Sequence, residues 1–203
     1  MLQEVNKDFV VGVVALQGGF AEHIDSLKAI GIKCCEVRTI AQAERCDAFI
    51  LPGGESTVIW KLMQEGLAAY LLRAYKQKRQ AIWGTCAGAI ICSRNYLNLI
   101  DTAVTRNAYG AQLASCVTDI RSVATNNSLG GAVLIRAPKF IKQTNKVRTI
   151  AIDGDGEGLA LVQDRCLVTS FHPELVKNSC FNWHEFFVNI AQNKGKVFAD
   201  VVL

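Results

Sequence analysis

The sequence predicts an α/β fold: a mostly parallel sheet covered on both faces by helices, with antiparallel or mixed strands at its edge. Two patterns predict it. Through the first half, apolar runs of strand length alternate with segments of helical period, the signature of βαβ units. Through the second half, short apolar runs separated by turn clusters show little helical periodicity. With 203 residues, 50% of them hydrophobic and 20% charged, the chain carries enough apolar surface to offset ordering entropy. It is expected to form one domain over residues 1–203.

The elements follow in order. Residues 9–16 read as a buried strand. Phe20, Ile24 and Leu27 then recur at helical spacing until Gly31 ends the run, and 32–37 reads extended, closing one βαβ unit. A third strand occupies 47–51. The stretch from Ser56 to Lys78 reads as helices broken near Gly66, and Ala81-Ile-Trp83 is a short fourth strand entering Gly84-Thr-Cys-Ala-Gly88. The later runs at 116–123, 132–135, 147–152, 159–162 and 167–171 are expected as antiparallel or mixed edge strands. Ser179 is the expected N-cap of the last helix, whose Trp183, Phe186, Phe187 and Ile190 fall at i, i+3, i+4 and i+7.

Several function classes are excluded at this level. The longest apolar runs are far short of the roughly 20 residues of a membrane helix. Residues 1–8 carry acidic and amide side chains without a secretory pattern, so a cytoplasmic address is expected. The net charge of +4 has its densest basic cluster from Arg73 to Arg79, the solvated end of a helix, and implies no nucleic acid. Eight cysteines without a Cys-x-x-Cys pair suggest neither a zinc ribbon nor a disulfide framework, and most are expected as reduced core thiols.

Three motifs carry the chemistry. Gly84-Thr85-Cys86-Ala87-Gly88 has the G-x-nucleophile-x-G form of a nucleophile elbow, with cysteine in the place of serine. Its glycines permit a tight strand-to-helix turn that lifts Cys86 to the edge of the sheet, where a helix N-terminus favours negative charge. The plainer reading is a buried cysteine in a glycine-rich turn. Ser170-Phe171-His172-Pro173-Glu174 supplies a base and, two residues on, a carboxylate on the same side of an extended segment, able to orient the ring. Alone, such a pair is more often a core histidine beside a surface acid; together with the elbow, the odds reverse. Leu51-Pro52-Gly53-Gly54-Glu55-Ser56-Thr57 ends a strand in a glycine pair, so the amides of Gly54 and Ala87 can together hold an oxyanion. The same segment also reads as a β-to-α turn capped by Ser56 or Thr57.

These motifs, in this order, occur with Val14-Ala-Leu-Gln-Gly18, Glu22-His23, Arg106-Asn-Ala-Tyr-Gly110 and Ile135-Arg136-Ala-Pro138. Across roughly Val10 to Ala191 the sequence resembles the class I glutamine amidotransferases, and among them the glutaminase subunits of pyridoxal 5′-phosphate synthase. The resemblance implies a flavodoxin-like three-layer sandwich and a Cys-His-Glu triad of Cys86, His172 and Glu174. It implies that L-glutamine is held by Gly54, Glu55 and Ser56, by Arg106, and by Ile135 and Arg136. It also implies ammonia delivery to a (β/α)8-barrel synthase subunit, with no cofactor or metal in the glutaminase itself. Two positions depart from the family pattern: Ala111 precedes Gln112 where an arginine is usual, and Gly19 follows Gly18 where an aspartate often stands. Each removes a charge and bears on partner contacts more than on the triad. The alternatives are a related cysteine amidotransferase feeding another acceptor, and a non-catalytic assembly subunit on the same fold.

Asp153-Gly-Asp155-Gly-Glu157-Gly158 imitates part of a calcium loop, but its extended flanks favour a hairpin turn. For His23 the readings are a contact with the partner or the site mouth and, favoured on an amphipathic helix, an exposed surface histidine; His184 is expected as a structural one.

Overall fold

Alternation in the first half builds β1 (Val10–Val14), α1 (Phe20–Ala29), β2 (Lys33–Val37), α2 (Ile40–Ala43), β3 (Ala48–Leu51), α3 (Ser56–Met63), α4 (Leu67–Lys76), β4 (Ala81–Thr85) and α5 (Ala87–Cys92). There follow β5 (Thr102–Thr105), β6 (Cys116–Ser122), β7 (Ser128–Leu134), β8 (Lys139–Lys142), β9 (Arg148–Ile152), β10 (Gly158–Gln163) and β11 (Cys166–Thr169). A 3-10 turn over Pro173–Leu175 and α6 (Trp183–Gln192) complete the order. The computed structural model describes residues 8–77, 80–106, 108, 116–142, 144–176 and 179–193. Asn107, Tyr109, Gly110, Ala111 and Gln112 lie outside the described residues.

The main sheet has nine strands in the order β2-β1-β3-β4-β11-β10-β9-β6-β7, and β5 pairs with β8 in a separate ribbon. The first five follow the 2-1-3-4-5 order of a flavodoxin-like sheet, which places the switch point for a ligand between β1 and β3. β1, β2, β3, β4 and β11 pair in parallel; β10, β9, β6 and β7 continue antiparallel. The run at 167–171 is therefore an interior parallel strand rather than an edge strand. A hairpin with β10 returns the chain so that Thr169 lies beside Thr85. Periodicity does not reveal direction, because a fully buried parallel strand and a buried antiparallel one are both continuous apolar runs.

Two apolar layers cover the sheet. One packs Leu27, Trp83, Phe171, Trp183 and Phe187 beneath α1 and α6; the other packs Phe49, Ile59, Met63, Leu71 and Ile91 beneath α3, α4 and α5. Each such side chain contributes about 1.5–3 kcal/mol on burial. Gly66, at φ 114°, separates α3 from α4, as the helical pattern predicts.

The local endings differ from expectation in three places. Asn182, not Ser179, caps α6, its Oδ1 accepting from the amides of His184 and Glu185, while Ser179 Oγ donates to the Leu129 carbonyl. Glu55, rather than Ser56 or Thr57, caps α3 by accepting from the Thr57 amide. α2 was not anticipated: Thr39 and Gln42 form a capping box around one turn too short to show a period. The acidic loop at 153–158 is the β9–β10 hairpin turn, with Asp153 Oδ1 accepting from the amides of Asp155 and Glu157. Among the described residues no acidic or thiol cluster could hold a metal, and no helix is long and apolar enough to cross a membrane.

Candidate active site

Three neighbouring parallel strands deliver the predicted motifs to one edge. Leu51 of β3 is in register with Gly84 of β4, and Thr85 of β4 with Thr169 of β11. One residue beyond Thr85 stands Cys86; three beyond Thr169 stands His172; two beyond Leu51 begins the Gly53-Gly54 loop. Residues far apart in sequence thus converge because their strands end side by side.

Cys86 sits at φ 46°, ψ −104° as N-cap of α5. A non-glycine residue in such a conformation costs about 1–3 kcal/mol and persists only where its surroundings impose it. The glycines on either side impose it. A Cβ on Gly88 would run into the Leu51 carbonyl, and one on Gly84 would lie 2.5 Å from the Gly88 backbone. The helix can begin against β3 and β4 only because both positions lack a side chain. Cys86 is held further by its amide, which donates to the Thr169 carbonyl at 2.8 Å. Ala87 is the first residue of α5, so its amide has no helical partner.

His172 receives Cys86 on one side and Glu174 on the other. Its Nδ1 is 2.7 Å from Glu174 Oε1, and Cys86 is near enough to act on the charge of the ring. Glu174 reaches the ring from the turn Pro173–Leu175 rather than along an extended strand. The pairing is as expected, although the backbone that produces it is not. Burial lowers the His172 pKa, but Cys86 and Glu174 outweigh that and carry it up to about 10. A thiol beside an imidazole that a carboxylate orients can transfer its proton and attack a carbonyl carbon.

The far edge of the sheet curls back to close the site. The His172 amide donates to the Val133 carbonyl at 3.0 Å, and Cys86 Sγ is 3.7 Å from the Ile135 carbonyl it faces. Arg136, exposed and at φ 48°, follows. Across the mouth, Arg106 Nη2 donates to Glu55 Oε1 at 2.9 Å. The Thr57 hydroxyl and amide, with Arg106, hold the exposed Glu55 carboxyl below the usual carboxylate range. Ser56 is buried, and its hydroxyl has no hydrogen-bond partner among the described residues.

Residues 13–193 match the SNO glutamine amidotransferase family. The chain belongs to that family. A relative named pyridoxal 5′-phosphate synthase subunit PdxT, from Thermus thermophilus, is 40% identical over 191 residues, covering 90% of this chain and 97% of the relative. One of the same name from Dehalococcoides mccartyi is 36% identical over 192 residues, with coverages of 90% and 97%. A crystal structure of a glutamine amidotransferase superposes with a TM-score of 0.81 at 37% identity, over 90% of this chain and 98% of that one. PurLQS from Thermotoga maritima, at 18% identity and a TM-score of 0.69, shares the fold over 91% and 98% of the two chains.

Within this SNO-family chain, two features of the site escape sequence reasoning. Gln17, just past β1, accepts from the Glu55 amide through Oε1 at 2.6 Å and so pins the glycine loop; its signal is a polar residue directly after a buried strand at the switch point. His23 is fully buried rather than exposed, in contact with His184, Thr85 and Glu174. Helical spacing puts it one position before Ile24, on the border of the apolar stripe, where polarity alone argues for solvent.

Proposed function

We propose that this chain hydrolyses the side-chain amide of L-glutamine to glutamate and ammonia, with Cys86 as nucleophile, His172 as proton carrier and Glu174 as its orienter. One observation carries the reading: Cys86 and His172 leave adjacent parallel strands, with Glu174 2.7 Å behind the imidazole. Cys86 sulfur attacks the amide carbon, and the tetrahedral oxyanion is received by the amides of Gly54 and Ala87. His172 gives its proton to the departing nitrogen, and ammonia leaves a thioester on Cys86. Water then attacks the thioester while His172 takes its proton, releasing glutamate and restoring the thiol. Arg106 and Arg136 supply charge for the α-carboxylate and Glu55 for the α-ammonium, with Ile135 lining the same mouth and Ser56 buried beneath the glycine loop.

The PdxT name of the relatives supports the further reading that the ammonia passes to a (β/α)8-barrel synthase partner in the cytoplasm, for vitamin B6 synthesis, from a glutaminase that works as a single domain. Glutamate release by the purified chain, alone and with that synthase, tests it. Activity in the mixture and silence alone are expected. Cys86→Ala should abolish release while the complex still forms on gel filtration; turnover retained by Cys86→Ala refutes the assignment.

A further inference from the structure

Behind Glu174 lies a buried histidine pair that the hydrolytic steps leave unused. His23, on α1, has no exposed surface, and its Nδ1 is 2.9 Å from Nε2 of the buried His184 on α6. Its own Nε2 lies 3.1 Å from Thr85 Oγ1 and 3.3 Å from Glu174 Oε2. Glu174 is satisfied on one side only. Oε1 meets His172, whereas Oε2 is buried without a well-directed hydrogen bond among the described residues. A buried carboxylate oxygen is costly unless an N–H or O–H turns toward it.

Burial, reinforced by His184 and then His172, pushes the His23 pKa far down, and burial takes that of His184 down to about 3. Both rings are neutral, so two protons are shared among four nitrogens. One of them stands between the rings. If His23 Nδ1 carried it, the bare lone pair of His23 Nε2 would face the Glu174 carboxylate at 3.3 Å. If His184 Nε2 carries it, the His23 proton sits on Nε2, within hydrogen-bond geometry of Thr85 Oγ1 and 3.3 Å from Glu174 Oε2. Only the second arrangement serves the orphaned oxygen.

We propose that His23 is a positioning residue for Glu174: its Nε2–H, fixed in that tautomer by His184, keeps the carboxylate aimed at His172. The inference rests on the triad reading above. Fully buried, His23 cannot touch glutamine, so it acts through Glu174 alone. The other titratable groups around the cluster are His172 and Cys86 on the site side, and Glu22 and Asp25, which share a cavity of about 670 Å³ with Glu174 and His184.

The test measures glutamine hydrolysis against pH, with the synthase partner present, for wild type, His23→Gln and His23→Leu. Glutamine offers an amide N–H near the place of the lost Nε2–H; leucine fills the space without a donor. His23→Leu should lower kcat about tenfold to hundredfold, the size expected for one hydrogen bond to a charged group. It should also move the acid limb of the kcat profile to higher pH and leave KM unchanged. His23→Gln should recover most of the rate and return the limb. An acid limb unmoved in His23→Leu, or His23→Gln as impaired as His23→Leu, overturns the proposal. Nitrogen NMR of the folded wild-type chain reads the tautomer without substitution: a proton on His23 Nε2 is expected, and one on Nδ1 overturns it. A Glu174→Gln variant that turns over like wild type sinks the triad reading itself; an impaired Glu174→Gln beside a normal His23→Leu sinks this inference alone.

Discussion

At the scale of single residues, the chemistry divides unequally between His172 and Glu174. In the proposed reaction His172 moves a proton in both half-reactions, and removing such a group costs about a hundredfold to ten-thousandfold. Glu174 reaches only the far nitrogen of the ring, at 2.7 Å, and a glutamine there keeps the size and one acceptor oxygen. Turnover of Glu174→Gln should therefore fall about tenfold to hundredfold, and that of His172→Asn further. Steady-state glutamate release checks the order, and the reverse ranking means the two roles are misassigned. These two residues and Cys86 were legible in the sequence because each stands inside a short motif whose chemistry is unusual. His23 and Gln17 were not, since nothing in a lone histidine or amide says that it will meet a residue some 150 or 40 positions away. Burial of a polar side chain is decided by what packs over it, here α6 and β4 over α1, and that information is not local.

At the scale of elements, the site depends on how closely a helix can approach two strands. α5 starts directly beneath β3 because Gly88 presents only hydrogen to the Leu51 carbonyl. Gly88→Ala must push helix and strand apart, and overpacking of this kind costs about 1–3 kcal/mol. The urea midpoint should drop accordingly, and activity should fall with it, because the same shift tilts the Cys86 turn; an unchanged midpoint would mean that the elbow is looser than its contacts imply. The strands and long helices of the first half follow from the pattern almost residue by residue, since buried parallel strands and amphipathic helices leave opposite periods. The second half resisted in one respect that matters for function. Its apolar runs were recognisable, but the direction of β11 was not, and only its parallel place beside β4 brings His172 to Cys86. β5 and β8 pair as a four-residue ribbon, too short and too exposed to leave an alternation in the sequence.

At the scale of the whole molecule, the protonation of its three histidines sets how stability responds to acid. His172, raised to about 10, is protonated below pH 6 in the folded and unfolded states alike, and so contributes no pH dependence there. His23 and His184 behave oppositely. Burial holds both far below the ordinary 6.5, His184 at about 3, so the unfolded chain binds protons that the folded chain refuses. The stability these two contribute is therefore fully present above pH 6.5 and is lost as the pH falls from there toward 3. Each excess proton on the unfolded state contributes about 1.4 kcal/mol per pH unit, so the two histidines together give a slope of roughly 2–3 kcal/mol per unit near pH 5.5. Carboxylates of ordinary pKa, near 4, change little in that window. Above pH 6.5 His172 keeps a proton that the unfolded chain loses, so urea unfolding at intervals from pH 7.5 to 5 should show stability rising to a maximum a little above pH 6.5 and then this decline. His184→Phe, which keeps an aromatic ring against Trp83 but carries no titrating nitrogen, should remove about half of the slope. A stability flat from pH 7.5 to 5 would mean that the unfolded chain gains no protons over the folded one, and that the buried pair is not neutral.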